Sequence, residues 1–297
     1  MNHRPFLAAT LGLSVLLSSS LVACMSAPPA NRSVPFEHAS AFGTPSAAPL
    51  ALQGEEPAAA AKPDLAAAAQ NPIAAMISLP LQNNTDFGVG PEDAVVNTLN
   101  IQPVWPFGLN EDWNFVTRTI LPVVYQGETV DGIGSEFGLG DANFTGFFSP
   151  KDSGELIWGV GPQVLIPTST DDRLGAGEWG LGAGAVALMM PKPWVIGALV
   201  SNVWSFEGNV NVMTIQPFIN YNLSDGWYLN TVPIITANWE ADSDDRWKIP
   251  LGAGVGKIAK IGQQPINLQV GYYNYVESPE NGPDWQLRVQ LQFLFPK

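Results

Sequence analysis

The chain has 297 residues, of which 27 are acidic and 13 basic, giving a formal net charge of −14; only 13% are charged while 46% are hydrophobic. The negative balance excludes a nucleic-acid backbone as partner, and the charged fraction is about half of the ~25% usual for a soluble domain. A single cysteine, Cys24, excludes an intramolecular disulfide.

The first residues read as an export signal. Arg4 supplies a weak positive start, and Phe6 to Leu17 is an apolar run too short to span a bilayer comfortably. Leu21-Val22-Ala23-Cys24 follows, a tetrapeptide similar to the lipobox of bacterial lipoproteins, which makes Cys24 a candidate for lipidation. The alternative is an ordinary signal peptide with an incidental cysteine. Residues 1–23 are thus expected to be a signal and 24–75 a flexible periplasmic tether, rich in Ala, Pro and Ser and without an apolar period. Within the tether, Asp64 to Ala75 predicts a short helix broken near Pro72, resting against or entering a barrel mouth.

From Met76 onward the pattern becomes one of strands near ten residues long, as a tilted membrane-crossing strand requires. Twelve are predicted, near 76–87, 95–105, 113–125, 139–148, 156–167 and 179–190, then 194–205, 211–222, 227–239, 247–258, 265–276 and 284–295. In the last, Trp285, Leu287, Val289, Leu291, Phe293 and Phe295 share one face, while Gln286, Arg288, Gln290 and Gln292 share the other. Such alternation suits a barrel with apolar outside and wet inside, and also a soluble sandwich with the faces reversed. Tryptophan decides between them. All ten Trp fall where a predicted strand begins or ends, the place of an aromatic girdle at a membrane surface. The expected fold class is therefore an all-β, transmembrane antiparallel barrel of about twelve strands in a bacterial outer membrane, over residues 76–297.

Connections alternate between short turns and longer acidic links, the asymmetry of periplasmic turns and outer loops. Sixteen of the 27 acids lie in the six outer links, counting Asp284, against only Arg173 and Arg246. The densest group is Glu240, Asp242, Asp244 and Asp245. It is read as a solvated loop, or as a weak metal candidate bridging divalent cations to lipopolysaccharide.

Charges within strands are expected to face inward, since an arginine on the lipid face near the midplane costs about 2–4 kcal/mol. Strand parity makes Arg118, Asp141, Gln163, Gln216, Asn220 and Arg288 the candidates for lining the lumen. They serve either a structural polar network or a selectivity constriction. Val116, Phe147, Leu165 and Phe218 share the inward parity, so the lumen is expected to be only partly polar.

No catalytic or cofactor chemistry is legible. The only histidines, His3 and His38, precede the barrel, as does Cys24, so the barrel carries no Ser-His-Asp unit, thiol nucleophile or His-based metal site. Gly252–Lys257 (GAGVGK) has the wrong spacing for a phosphate loop and lacks the following Ser or Thr. Its glycines suit a strand approached closely from one side.

Several stretches carry a family resemblance: FGLGDANFTGFFSP (137–150), LIWGVGPQVLIPTSTDD (156–172), PWVIGALVSNVWSF (193–206), QPFINYNLSDGWYLNTVPIITANWEA (216–241) and the ending 284–296. They resemble a bacterial outer-membrane family labelled phenol-degradation MetA-pathway proteins or transporters, over roughly residues 64–297. The resemblance implies a barrel that passes small hydrophobic or aromatic compounds, and it assigns no catalytic residues. The partners to expect are outer-membrane lipid and lipopolysaccharide, the barrel-assembly machinery and a small-molecule solute. Two other readings stand beside the channel: a non-conducting structural or adhesive barrel with cation-binding loops, and a barrel lipid hydrolase, against which the missing histidines argue.

Overall fold

The computed structural model describes residues 65–296. The expected signal, Cys24 and most of the tether lie outside the described residues. Fifteen hydrogen-bonded segments form one antiparallel sheet that closes on itself. They make twelve strands, because three strands are each interrupted once. The first six are β1 (Ile77–Val89), β2 (Ala94–Ile101 and Val104–Gly108), β3 (Trp113–Gln126), β4 (Glu136–Leu139 and Ala142–Pro150), β5 (Leu156–Ile166) and β6 (Gly180–Met189). The others are β7 (Trp194–Ser205), β8 (Asn211–Asn222), β9 (Trp227–Thr231 and Ile235–Asn238), β10 (Trp247–Ile261), β11 (Gln264–Glu277) and β12 (Trp285–Phe295). Closure is by β1 on β12, in register from Ile77↔Phe295 to Phe87↔Trp285. A closed barrel has no edge strand and leaves no backbone group unpaired in lipid.

The outward face is the apolar one. On β12, Leu287, Val289 and Phe295 are exposed while Gln286, Arg288 and Gln292 are buried. Tryptophans ring both ends. At the end where β1 begins and β12 finishes, Trp113 meets Trp158 edge-on and Trp194 meets Tyr221. At the other end Trp239 meets Trp247, and Trp285 stacks on Phe87 with centroids 3.9 Å apart. This outward apolar belt between two aromatic girdles is the architecture of bacterial outer-membrane barrels.

The three interruptions were not in the sequence reading, which ran β2, β4 and β9 straight through. Two follow from proline, which cannot donate to a ladder. Pro103 leaves Gln102 to donate alone to the Pro80 carbonyl (2.9 Å), and Pro233 breaks β9 across 232–234. The third, at Gly140-Asp141, is made by an outer loop. The Thr168 hydroxyl accepts from Ala142 N–H (2.9 Å) and donates to the Gly140 carbonyl (2.7 Å), taking the place of a neighbouring strand. The tight β8–β9 turn needs left-handed backbone at Asp225 (φ 55) and Gly226 (φ 76); a Cβ at Gly226 would lie 2.5 Å from the Ile258 carbonyl oxygen.

Candidate functional site: the lumen and its plug

The interior has two unlike walls. From β3 to β8 the buried inward residues are mainly apolar: Val116, Phe147, Val186, Leu188, Val195, Leu199 and Phe218 form one cluster. From β9 round to β1 they are mainly polar, with Leu294 an apolar exception. Tyr228 Oη donates to Asn267 Oδ1 (2.7 Å), and Asn267 Nδ2 donates to Gln292 Oε1 (3.1 Å). Tyr275 Oη and Gln286 Nε2 both donate to Asp86 Oδ1, each at 2.9 Å.

Strand β10 makes room for these side chains. Its inward positions Gly252, Gly254 and Gly256 are the glycines of the GAGVGK stretch. A Cβ at Gly256 would fall 2.0 Å from the Tyr228 ring, and one at Gly254 would fall 2.5 Å from Asn230 Oδ1. The glycine row is a floor for Tyr228 and Asn230.

The expected short helix is present as α1 (Leu65–Gln70), and the chain turns at Pro72. It sits at the end of the barrel where β1 begins. Gln70 Nε2 donates to Asn222 Oδ1 (2.7 Å). Ile73 is buried in the apolar cluster, in van der Waals reach of the glycine surface at Gly159. On the other side, Ala69 and Met76 pack with Leu294. Residues 69–72 form part of the boundary of a cavity of about 130 Å³.

Five of the six lumen candidates line space inside the barrel. Arg118, Gln216, Asn220 and Arg288 border the cavity beside the plug. Gln163 borders a second cavity of about 230 Å³, and Arg118 and Gln216 border both. Gln82, Gln102 and Leu199 are also common to the two, so this group lies where the two cavities adjoin, a level here termed the waist.

Asp141 is placed differently. It borders neither cavity. At the break in β4 its carboxylate accepts the backbone N–H groups of Ser169 (3.1 Å) and Gly177 (2.9 Å) and ties down the 168–178 loop. A carboxylate on an interrupted strand can turn to loop amides that a straight strand would not present. The same loop holds Arg173 against Asp171 (3.0 Å) and Glu136. Hydrogen bonds from the Arg173 backbone and side chain hold the Asp171 carboxyl below its ordinary pKa. Glu178, bonded by Ser205 and Asn209, is lowered likewise.

The acidic group 240–245 does not assemble a metal site. Among the described residues no three His, Cys, Asp or Glu side chains gather to hold an ion. Instead Asp245 Oδ1 accepts the Glu280 N–H (2.8 Å), Ser243 bonds Asp244, and Arg246 covers Trp239. The carboxylates serve loop-to-loop contacts and solvent.

Each lumen arginine sits at a break in the wall. Arg288 donates to Asn84 Oδ1 (2.8 Å), Gln286 Oε1 (2.8 Å) and the carbonyl of Val232 (2.5 Å) in the β9 interruption. Its guanidinium also lies 4.7 Å from the centre of the Tyr273 ring. Arg118 Nη2 donates to Gln102 Oε1 (2.6 Å) at the β2 interruption. Sequence parity found both arginines. It missed Gln82, Asn84 and Gln102, because β1 does not alternate cleanly: Asn83, Thr85 and Asn97 bond one another on the outer face.

No protein-family model and no curated protein matches the chain. Among solved structures it is similar to the COG4313 outer membrane channel from Pseudomonas putida F1, at 16% identity and a TM-score of 0.59, over 76% of this chain and 97% of that one. Looser likenesses are to the CymD monoaromatic hydrocarbon channel (8% identity, TM-score 0.42, 75% of this chain and 88% of that one) and to a Pseudomonas aeruginosa FadL homologue (10%, 0.42, 77% and 93%). The first likeness is one of fold, and the other two are too distant to carry an argument. The chain thus shares the fold of an outer-membrane channel.

Proposed function

We propose that the protein is an outer-membrane channel for passive passage of small apolar, including aromatic, molecules, with residues 65–75 plugging its periplasmic mouth. One observation carries this reading: a cavity inside the barrel is bounded by Leu199 and Phe218 on one side, amides on the other and the inserted segment below. A sugar path would need hydroxyl-binding groups all round, whereas an apolar solute has one wall it can wet. The resemblance to the MetA-pathway family supports a hydrophobic or aromatic solute, and the fold shared with a channel supports transport over catalysis. The plug is held by apolar burial of Ile73 and by Gln70, a combination that can be released without breaking a strand.

Planar-bilayer conductance of the refolded full chain, compared with a version lacking residues 25–75, tests the plug. A several-fold rise in conductance on truncation is expected. Equal conductance in both would remove the plug from the account.

A further inference from the structure

The two lumen arginines have unequal surroundings. The cavity beside the plug is bordered by Arg118 and Arg288 and by no Asp or Glu; the cavity above it is bordered by Arg118 and again by no acid. Arg173 in the outer loop makes ion pairs, and among the described residues neither lumen arginine makes one. A cation inside the barrel without a counter-charge is costly, most of all where it is buried, as Arg288 is, and less where it is half-buried, as Arg118 is, unless its N–H groups are well used. Those of Arg288 are, with three acceptors and a tyrosine face. Arg118 has five N–H donors in a planar fork, and its one hydrogen bond among the described residues goes to the neutral amide of Gln102. Its other N–H groups have no protein acceptor among the described residues, and a bidentate anion is the ligand that fits such a fork. Leu199 borders both cavities and Phe218 the lower one, giving a body attached to that anion an apolar surface.

We propose that the waist binds the anionic head of an apolar molecule, a carboxylate on an aromatic or short aliphatic body, with Arg118 as its principal partner. This rests on the reading of the barrel as a channel for apolar solutes and specifies the charge of the solute. The acidic outer loops do not cancel it. The acid nearest along the wall is Asp141, four residues from Thr145, the register partner of Arg118 on β4, or roughly 13 Å along the strand, and its carboxylate is held by two loop N–H groups. That separation exceeds the ~8 Å Debye length at physiological ionic strength.

The test is calorimetric titration of the full-length protein in detergent with two probes of one shape, para-butylbenzoate and para-butylbenzyl alcohol. Each folded variant is confirmed by heat-modifiable migration. The carboxylate is expected to bind about tenfold more tightly than the alcohol, with affinity falling as salt rises. In Arg118→Gln that preference is lost. In Arg118→Lys, which keeps the charge but not the fork, it drops several-fold and persists, and this variant carries the test if the glutamine variant does not fold. Equal binding of the two probes, or a preference that survives in both variants undiminished, overturns the anion site and leaves the channel reading standing. If neither probe binds and the protein does not raise uptake of the alcohol across an outer membrane, both readings fall.

Discussion

From β3 to β8 the lumen wall is Val116, Phe147, Leu188, Leu199 and Phe218; from β9 round to β1 it is Tyr228, Asn267, Arg288 and Asn84. The first wall is held by dispersion and exclusion of water, and it responds to changes in volume. The second is held by directed bonds, and it responds to loss of a donor or acceptor. The comparison teaches where each kind of work can be done. Arg288 is kept where a strand break and amides offer it acceptors, while Ile73 of the plug lies along the other side. Segment 65–75 touches both: Ile73 joins the apolar cluster, and Ala69 packs with Leu294 on β12.

The largest expected effect is on the apolar wall. Phe147→Ala should cost about 3–5 kcal/mol, read as a lower urea midpoint for the barrel refolded in lipid vesicles. A cost below that of an ordinary surface change would mean that this wall is loosely packed and the contrast false. On the polar wall, Arg288→Met strips donors from Asn84, Gln286 and the Val232 carbonyl and should cost about 2–3 kcal/mol. Arg118→Met removes one bond and should cost no more than about 1 kcal/mol. Similar values for the two arginines would erase the distinction between a structural and an available guanidinium. Next, Gly256→Ala pushes a methyl into the Tyr228 ring and should cost about 1–3 kcal/mol, whereas the same change at Gly262, where nothing lies within 4 Å, costs through its positive φ alone.

The smallest effect lies outside the walls, in the 168–178 loop. The folded pKa of Asp171 is depressed, first by the Arg173 backbone N–H and then by its side chain. Its contribution to loop order is therefore full above the unfolded carboxyl pKa and is lost as pH falls through the lowered folded value. Arg173→Gln keeps the backbone bond, so carboxyl NMR titration should show the depression of Asp171 reduced but still present. No change, or complete loss, would reassign its cause.

Much of this was legible in the sequence. The clean alternation of β12, the tryptophans at strand ends and the cost of an arginine facing lipid together gave the barrel, its orientation of faces and the inward placement of Arg118 and Arg288. The illegible parts share a cause, in that a tertiary neighbour replaced a ladder partner. Thr168 bonding into β4 moved Asp141 from lumen to loop, and the outward Asn83–Asn97 pair hid the inward Gln82 and Asn84. Pro103 and Pro233 were visible as breakers, but which arginine uses each break was not: Arg118 comes from the next strand and Arg288 from a strand 56 residues on.

Uptake of an apolar probe across an intact outer membrane tests the central claim most directly, because a lipopolysaccharide leaflet, unlike a phospholipid bilayer, holds such molecules back. Cells carrying the protein are compared with cells carrying the empty vector, using fluorescent N-phenylnaphthylamine and, in parallel, a labelled disaccharide. The account predicts uptake of the apolar probe raised several-fold with the disaccharide unchanged. Unchanged uptake of the apolar probe, with the folded barrel present in the outer membrane, would contradict it.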